Sequence, residues 1–578
     1  MPISDYQTFI TDSTAPCRFI SQDAKIESWE DVLPYFENLK SRTVSNEAEL
    51  WTWLEDRSEL NAWLEEDMAW RYIKMTCDTL DKTAVDRYTF FVEQIDPEIS
   101  LWQNELDKLL ITFPGFDTIS FAGSEILKKN IRKDLEIFRE ENIALQTEIQ
   151  TKAQEFAAIS GAMGIDWKGA EITMPQAGVI LQSTDREERK EVYEKIQNRR
   201  FQDGEKLQHL FTDLVSLRHQ VAINAGFENF RDYMFVSMGR FDYTPSDCKS
   251  FHEAVEKRVV PLVTRQIQQR KANLKVESLR PYDLAVEENG RPALKAFEGG
   301  QDLLDKGKEV FRRLDPVLGN CLSAMEEKGH FDLESRKGKA PGGYNYPLDQ
   351  SGFPFIFMNA SSTLRDMVTL MHEGGHAVHS IVTRFLPLSF FKHTSSEVAE
   401  LASMSMELMS MDHWDVYFTN PEDLKRAKSE HLAQVIDTLP WVATIDAFQH
   451  WLYENPTHSE EERTQAWLRI SERFSSGLVD YSGYEHFKSI AWQKQLHLFE
   501  VPFYYIEYGM AQLGAIAVWR NYKTNPEKAL SDYLKALSLG HTAGIREVYE
   551  AAGIRFDFSE SYIKELMDFV GTELEAIG

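Results

Sequence analysis

The chain contains little cysteine: four residues in 578, scattered without a C-x-x-C pair. A disulfide framework is therefore not expected, and free thiols favour a reducing compartment, so we predict a cytoplasmic protein. The N-terminus lacks both the basic and the apolar region of a signal peptide. The longest apolar run, 511–519, covers about nine residues and is too short to span a bilayer.

Basic residues are also scarce, since 63 lysines and arginines stand against 92 aspartates and glutamates and give a formal net charge of −29. Such a surface repels nucleic acid and anionic membranes, so neither is an expected partner. There is no low-complexity segment, no glycine/serine linker and no repeat of fixed period. A chain of this length can bury a large core, in about one to three domains.

Apolar residues recur at helical spacing along most of the chain, as in 50–73, which predicts a mainly helical protein. The stretch 161–181 changes character and indicates short strands. We therefore place a soft domain boundary there. It divides an N-terminal helical region, residues 1–160, from a larger helical region, residues 161–578, which contains the motifs that carry chemistry.

Three local signals predict element boundaries in the larger region. A capping box at 184–187 indicates a long helix that ends near Gly226. Thr244 followed by Pro245 opens another helix. The run 353–358 is strand-like and comes directly before the most informative motif of the chain.

That motif is H-E-G-G-H at residues 372–376. On a helix, His372 and His376 lie on one face and can point two imidazoles at one metal ion. Glu373 reaches the side of the ion where a water molecule would sit. This is the H-E-x-x-H arrangement of zinc hydrolases, with two neutral nitrogen ligands and a carboxylate as general base. Serine and threonine caps and an apolar stripe in 361–371 predict the helix.

The paired glycines of the motif, Gly374 and Gly375, oppose a helix, because each costs about 1 kcal/mol relative to alanine. We interpret them as positions where a substrate or a packed helix approaches the backbone closely. The alternative is a helix that kinks or ends there.

A zinc site needs a third protein ligand. His379 is too near on the same rigid helix, and Val382 excludes the metzincin motif. The stretch 395–407 predicts a second helix, on which Glu400 and Glu407 are two turns apart on one face. Because this helix is otherwise apolar, we interpret Glu400 as a ligand and Glu407 as the residue that orients a ligand histidine. The alternative is that these glutamates are surface charges.

The motif at 372–376, together with the run from Glu400 to Glu407, resembles the thimet oligopeptidase and oligoendopeptidase F family of zinc peptidases. The likeness is greatest to the bacterial oligoendopeptidase F and Pz-peptidase branch. Three more segments carry it: a K-x-x-G-A-Y-type loop at 336–344, a histidine–tyrosine segment at 497–508 and a C-terminal end at 537–554. The sequence departs from the family at the paired glycines and at Val501, where thimet members have an additional tyrosine.

The resemblance implies a mainly α fold: a two-lobed helical zinc-peptidase (gluzincin) fold with a small β-sheet beside a deep active-site cleft. It also implies one Zn²⁺ per chain, bound by His372, His376 and Glu400. The remaining expected site residues are the catalytic His497, Tyr505 and Tyr508 and a substrate loop of Gly342, Gly343 and Tyr344.

The expected activity is that of a zinc-dependent endopeptidase that hydrolyses internal bonds of short peptides. Zinc lowers the pKa of its bound water toward about 7. Glu373 then accepts the proton of the attacking water and passes it to the leaving amine, while tyrosine and histidine donors stabilise the oxyanion. The strand near 353–358 would pair with the extended substrate. The oligomeric state is left open.

Two other classes compete with this prediction. A zinc carboxypeptidase or dipeptidase on a similar helical fold uses the same motif, but it requires cationic residues that bind the terminal carboxylate. A helical bundle with a di-metal site requires repeated E-x-x-H pairs, and the surroundings of Glu485 and His486 supply no second set.

Overall fold

The computed structural model describes residues 3–11, 17–21, 23–336, 338–340 and 342–577. Helices make up most of these residues, as predicted, and the strands form two small sheets. Among the described residues, no helix is long and apolar enough to cross a membrane.

The helices between residues 33 and 137 pack mainly around a core of their own. Its buried residues include Phe36, Trp53, Leu60 and Leu106. Leu388 and Phe391, which follow the helix of the H-E-G-G-H motif, join the same core and so attach that region to the site. The helices are α1 (Thr8–Thr11), α2 (Leu33–Ser41), α3 (Glu47–Cys77), α4 (Lys82–Phe90), α5 (Asp96–Leu110), α6 (Ser124–Ile137) and α7 (Glu141–Gly161). The division at residue 160 stays a prediction.

The elements that follow combine a hairpin with eight helices. The short strands expected within 161–181 are present and pair antiparallel. The elements are β1 (Gly164–Trp167), β2 (Ala170–Thr173), α8 (Met174–Ile180), α9 (Arg186–Gln202), α10 (Gly204–Asn224), α11 (Phe230–Ser237), α12 (Pro245–Arg258), α13 (Val260–Leu274), α14 (Gly299–Leu314) and α15 (Pro316–Glu327).

The structure confirms one predicted helix start, at Thr244, and corrects another, at 184–187. Thr244 caps α12 with a capping box, as expected. The box at 184–187 is wrong, because the side chain of Asp185, not Thr184, accepts the first amide hydrogens of α9. The long helix expected to reach Gly226 is also divided in two, since Asp203 ends α9 and the chain restarts as α10.

The rest of the chain builds the second sheet and the helices around the motif. The largest hydrophobic core of the protein lies here and contains residues of α16, α17 and α22. The elements are β3 (Phe331–Glu334), β4 (Tyr344–Tyr346), β5 (Phe355–Ala360), α16 (Leu364–Thr383), α17 (Ser396–Ser410), α18 (Pro421–Glu454), α19 (Glu460–Arg473), α20 (Glu485–Ser489), α21 (Leu496–Glu500), α22 (Tyr505–Thr524), α23 (Pro526–Ser538), α24 (Ile545–Ala551) and α25 (Glu560–Ile577).

The second sheet corrects one expectation about substrate binding. Its order is β3–β5–β4, with β3 parallel and β4 antiparallel to β5. The strand-like run 353–358 is therefore the central strand β5, whose hydrogen-bonding edges are both taken, and it cannot pair with a peptide. The outer strand β4 carries an edge instead.

The glycines of the motif lie inside α16, which continues through them without a break. A Cβ on Gly375 would lie 2.7 Å from the carbonyl oxygen of Ala402 and 2.7 Å from the Cα of Ser403, both on α17. A Cβ on Gly374 would collide with the ring of Phe311 on α14. The glycines therefore allow two neighbouring helices to pack closely against α16. Of the two expected causes, a substrate or a packed helix, the structure shows the packed helix.

We expect Gly375→Ala to lower the free energy of unfolding by about 1–3 kcal/mol, because the new methyl group has no room against α17. Gly571→Ala is the matched control, since Gly571 lies in α25 and a methyl group there would have no neighbouring atom within 4 Å. It should be neutral or stabilising by up to about 1 kcal/mol. Urea unfolding measures both; equal effects would contradict the packing account.

Candidate active site

Helices α16 and α17 bring three metal-type donors together. His372 and His376 project from α16, and Glu400 projects from α17. One ligand atom from each lies within 4.8 Å of the other two. His372 Nε2 is 3.3 Å and His376 Nε2 is 3.8 Å from Glu400 Oε2. Two imidazole nitrogens and one carboxylate oxygen around a common point are a donor set that fits a zinc ion.

Glu407 lies behind His372, where it was expected. Its Oε1 is 2.6 Å from His372 Nδ1, which leaves Nε2 of that ring for the metal position. Its other oxygen is 3.7 Å from Nε2 of the buried His431. The alternative of surface charges is wrong, because Glu400 is only 3% exposed and Glu407 is largely buried. A carboxylate on the far nitrogen of a ligand histidine fixes the tautomer and the orientation of the ring.

The two buried glutamates of the site, Glu373 and Glu400, have very different pKa values. Burial raises the pKa of Glu373 to about 7. Burial also opposes ionisation of Glu400, but hydrogen bonding and the charges of the two histidines outweigh it and lower the pKa of this carboxyl to about 2. Glu373 therefore binds a proton more readily than Glu400, which stays an anion at neutral pH.

The tyrosine segment lies against the same cavity. Tyr504 and Tyr508, four residues apart at the start of α22, both line it. The hydroxyl of Tyr504 donates to Glu400 Oε1 at 2.8 Å. The hydroxyl of Tyr508 is 3.2 Å from His497 Nε2. Tyr505 is not among the lining residues, and its ring packs against His497 with centroids 4.9 Å apart.

A strained turn sets the direction of this segment. Phe503 has a φ of +68°, a conformation that costs a non-glycine residue on the order of 1–3 kcal/mol. Its N–H donates to Gln449 Oε1 at 2.6 Å, and its carbonyl accepts from the guanidinium of Arg240. Arg240 also donates to Glu507 Oε1 at 2.7 Å. All of these groups are buried, so the turn that presents Tyr504 is held from beneath.

The expected substrate loop borders the cavity at Gly343 and Tyr344. Gly342 has a φ of +101°, which favours glycine, and its carbonyl accepts from Asn359 Nδ2 at 2.9 Å. The ring of Tyr344 stacks on Phe357 with centroids 4.8 Å apart. Tyr344 therefore packs β4 against the central strand and also borders the cavity. Lys337 and Pro341 of the same loop lie outside the described residues.

The cavity measures about 360 Å³ and contains residues that sequence reasoning did not single out. Asn345 of β4 lines it and donates to the carbonyl oxygen of Glu373 at 3.4 Å. Lys392 and His393, in the segment between α16 and α17, line it as well. The position of Tyr504 four residues before Tyr508 was a usable signal, whereas nothing in the sequence pattern indicated Lys392.

Two other groups among the described residues have metal-type donors. Cys248, Asp446 and His450 form a buried group, and Glu65, Asp349 and His393 form an exposed one. The first has Asp446 hydrogen-bonded to His252 at 2.8 Å, and in the second His393 forms ion pairs with Glu65 and Asp349. All three donor residues of the group at His372 line the cavity that Glu373 and two tyrosines also line.

The fold is mainly helical, and its cavity holds two histidines and one glutamate as metal-type donors. This combination is typical of metallopeptidases. Residues 179–568 match peptidase family M3, and residues 20–138 match the Peptidase M3 N-terminal domain. The first match covers more than half of the chain, so the chain belongs to peptidase family M3.

Individual relatives are similar over much of their length. An oligoendopeptidase F homologue of Borreliella burgdorferi is 23% identical over 489 residues, which is 80% of this chain and 78% of the relative. Oligopeptidase PepF of Bacillus subtilis is 25% identical over 304 residues, 51% of this chain and 44% of the relative. The structure of Pz peptidase A with an inhibitor matches with a TM-score of 0.91 at 26% identity, over 97% of this chain and 99% of that one. The expected family, fold class and enzyme class, a metalloendopeptidase, are confirmed.

We expect Arg240→Met to destabilise the protein by about 3–5 kcal/mol, because it leaves buried Glu507 and the strained turn without their cationic partner. Arg132→Met is the control, since Arg132 pairs with Asp117 at the surface and such pairs contribute about 0–1 kcal/mol. Urea unfolding followed by tryptophan fluorescence compares the two. Similar small effects would show that Arg240 does not hold the turn.

Proposed function

We propose that this chain is a zinc-dependent endopeptidase that cuts internal bonds of short peptides, with His372, His376 and Glu400 as the zinc ligands and Glu373 as the general base. One observation carries the proposal. The three donor atoms converge within 4.8 Å inside a cavity that Glu373 also lines. The family supports a peptidase, and this donor set suits zinc better than hard cations that require only oxygen.

A bound zinc ion would supply Lewis acidity, which polarises the scissile carbonyl and makes water a nucleophile near neutral pH. The protein contributes the proton transfers. Glu373 takes the proton of the attacking water and gives it to the leaving amine. Its burial beside the donor group and its raised pKa, about 7, suit a carboxyl that must both accept and release a proton.

The donor for the developing oxyanion is Tyr508 in this proposal, because it lines the cavity and its hydroxyl can donate to a negatively charged oxygen. Tyr504 also lines the cavity, but its hydroxyl donates to Glu400 and orients that carboxylate. His497 acts through Tyr508, whose hydroxyl is 3.2 Å from its Nε2. Gln495 fixes that imidazole from the other side, at 2.7 Å from Nδ1. Tyr505 packs against the same ring and supports its orientation.

The substrate would lie along β4. This strand pairs with β5 on one side only, and Asn345 within it lines the cavity and contacts the backbone of Glu373. An extended peptide can add to such an edge through main-chain hydrogen bonds, whatever its sequence. The chain's four cysteines are free, which supports the reducing, cytoplasmic compartment predicted from the sequence.

We expect Glu373→Gln to keep about one zinc per chain but to lose at least about a hundredfold in kcat, because an amide cannot accept the proton. Glu400→Ala should lower the zinc content itself, since it removes a ligand. Elemental analysis and turnover of one peptide, measured on the same preparations, separate the two effects. Near wild-type kcat in Glu373→Gln would exclude Glu373 as the base.

The limited volume of the cavity predicts selection by substrate size. We expect hydrolysis of short peptides blocked at both termini and almost none of unfolded casein, because a cavity of about 360 Å³ admits a thin extended segment but not a long chain. A length series that shares one cleavage site measures this as kcat/KM. Failure to cut any blocked peptide would favour the carboxypeptidase or dipeptidase alternative, and equal rates on casein would show an open groove.

A further inference from the structure

The cavity is lined by two basic residues in addition to its acidic groups. Glu373 and Glu400 line it, and so do Lys392 and His393. The two cationic residues belong to the segment that connects α16 with α17, so the same two helices that carry the donor group also hold this segment in place. The peptide chemistry proposed above makes no use of them.

In the described part of the chain, Lys392 forms no ion pair with a carboxylate. Its Nζ donates to the main-chain carbonyl oxygen of Asp349 at 2.9 Å. Among the described residues, no carboxylate oxygen lies within 4 Å of this ammonium group. An ammonium carries three N–H donors, so two of them remain for a ligand. Burial lowers the pKa of Lys392, which shows that desolvation outweighs its neighbouring charges.

The two acidic residues nearby, Asp349 and Glu65, form ion pairs with His393. Asp349 Oδ2 is 2.8 Å and Glu65 Oε2 is 3.0 Å from His393 Nε2. Glu65 lies on α3, so the N-terminal region reaches the cavity rim through this ion pair. Both carboxylates therefore contact His393 and not the ammonium group of Lys392, whose remaining N–H donors are left for what binds in the cavity.

We propose that Lys392 binds the C-terminal carboxylate of the peptide substrate. This inference rests on the proposed peptidase function and adds a determinant of specificity to it. Among the groups that every short peptide carries, only the terminal carboxylate is an anion, and an ammonium–carboxylate hydrogen bond is stronger than one between neutral groups. The acidic side chain of a substrate offers the same chemistry but is not present in every peptide.

The proposal fixes where the peptide is cut. Lys392 and the donor group line one cavity of about 360 Å³, so the anchored carboxylate lies only a few residues from the scissile bond. Residues added at the N-terminus of a substrate should therefore leave the C-terminal product unchanged. Residues added at the C-terminus should move the cleavage site with the new terminus.

The experiment compares peptides that are identical except for a free or an amidated C-terminus, plus an amidated peptide that ends in glutamate. For the wild type we expect kcat/KM about tenfold or more higher for the free acid than for the plain amide, mainly through KM. Lys392→Met should abolish this preference, and Lys392→Arg should restore most of it. Lys328→Met is the control, because Lys328 lies over the ring of Phe353 and outside the cavity lining.

Each outcome decides a specific point. Equal cleavage of acid and amide by the wild type, or a preference that survives in Lys392→Met, would overturn the role of Lys392. If the amidated peptide that ends in glutamate is cleaved as fast as the free acid, Lys392 recognises acidic side chains and not the terminal carboxylate. That result would also overturn the proposal. No cleavage of any peptide would instead refute the proposed function. The wild-type comparison and the cleavage register need no variant, so they hold even if Lys392→Met does not fold.

Discussion

The close approach of α16, α17 and α22 is the constraint on which the site depends. Gly375 lets the backbone of α17 lie directly against α16, and a Cβ on Gly514 of α22 would lie 2.8 Å from Leu401 of α17. Removing side chains at these crossings brings Glu400 within 3.3 Å of His372 and the hydroxyl of Tyr504 within 2.8 Å of Glu400. A larger residue at either crossing would separate groups that must share one ion and one substrate.

Several buried charges around this crossing are paired. Glu407 faces His372, and Arg240 faces Glu507. Each pair fixes a side chain or a turn that points toward the cavity, at the cost of desolvating charges in the core. These buried pairs therefore hold a few functional groups in fixed orientations within the helical core.

Much of this site could be predicted from the sequence, because its spacing is helical. Residues four apart placed His372 with His376, and residues seven apart placed Glu400 with Glu407 on one face. The strand β5 was also recognised, but its place in the centre of the sheet was not, since strand order depends on contacts distant in the chain. Lys392 was missed for the same reason: which side chain borders a cavity depends on the packing of several elements and not on local pattern.

The most direct test of the account is X-ray absorption at the zinc edge of the purified, zinc-loaded protein. The account predicts only nitrogen and oxygen neighbours at about 2.0–2.2 Å, with the multiple scattering of two imidazole rings. A sulfur neighbour at about 2.3 Å would contradict it, because the described cysteine in a metal-type group is Cys248, which belongs with Asp446 and His450 and not with His372.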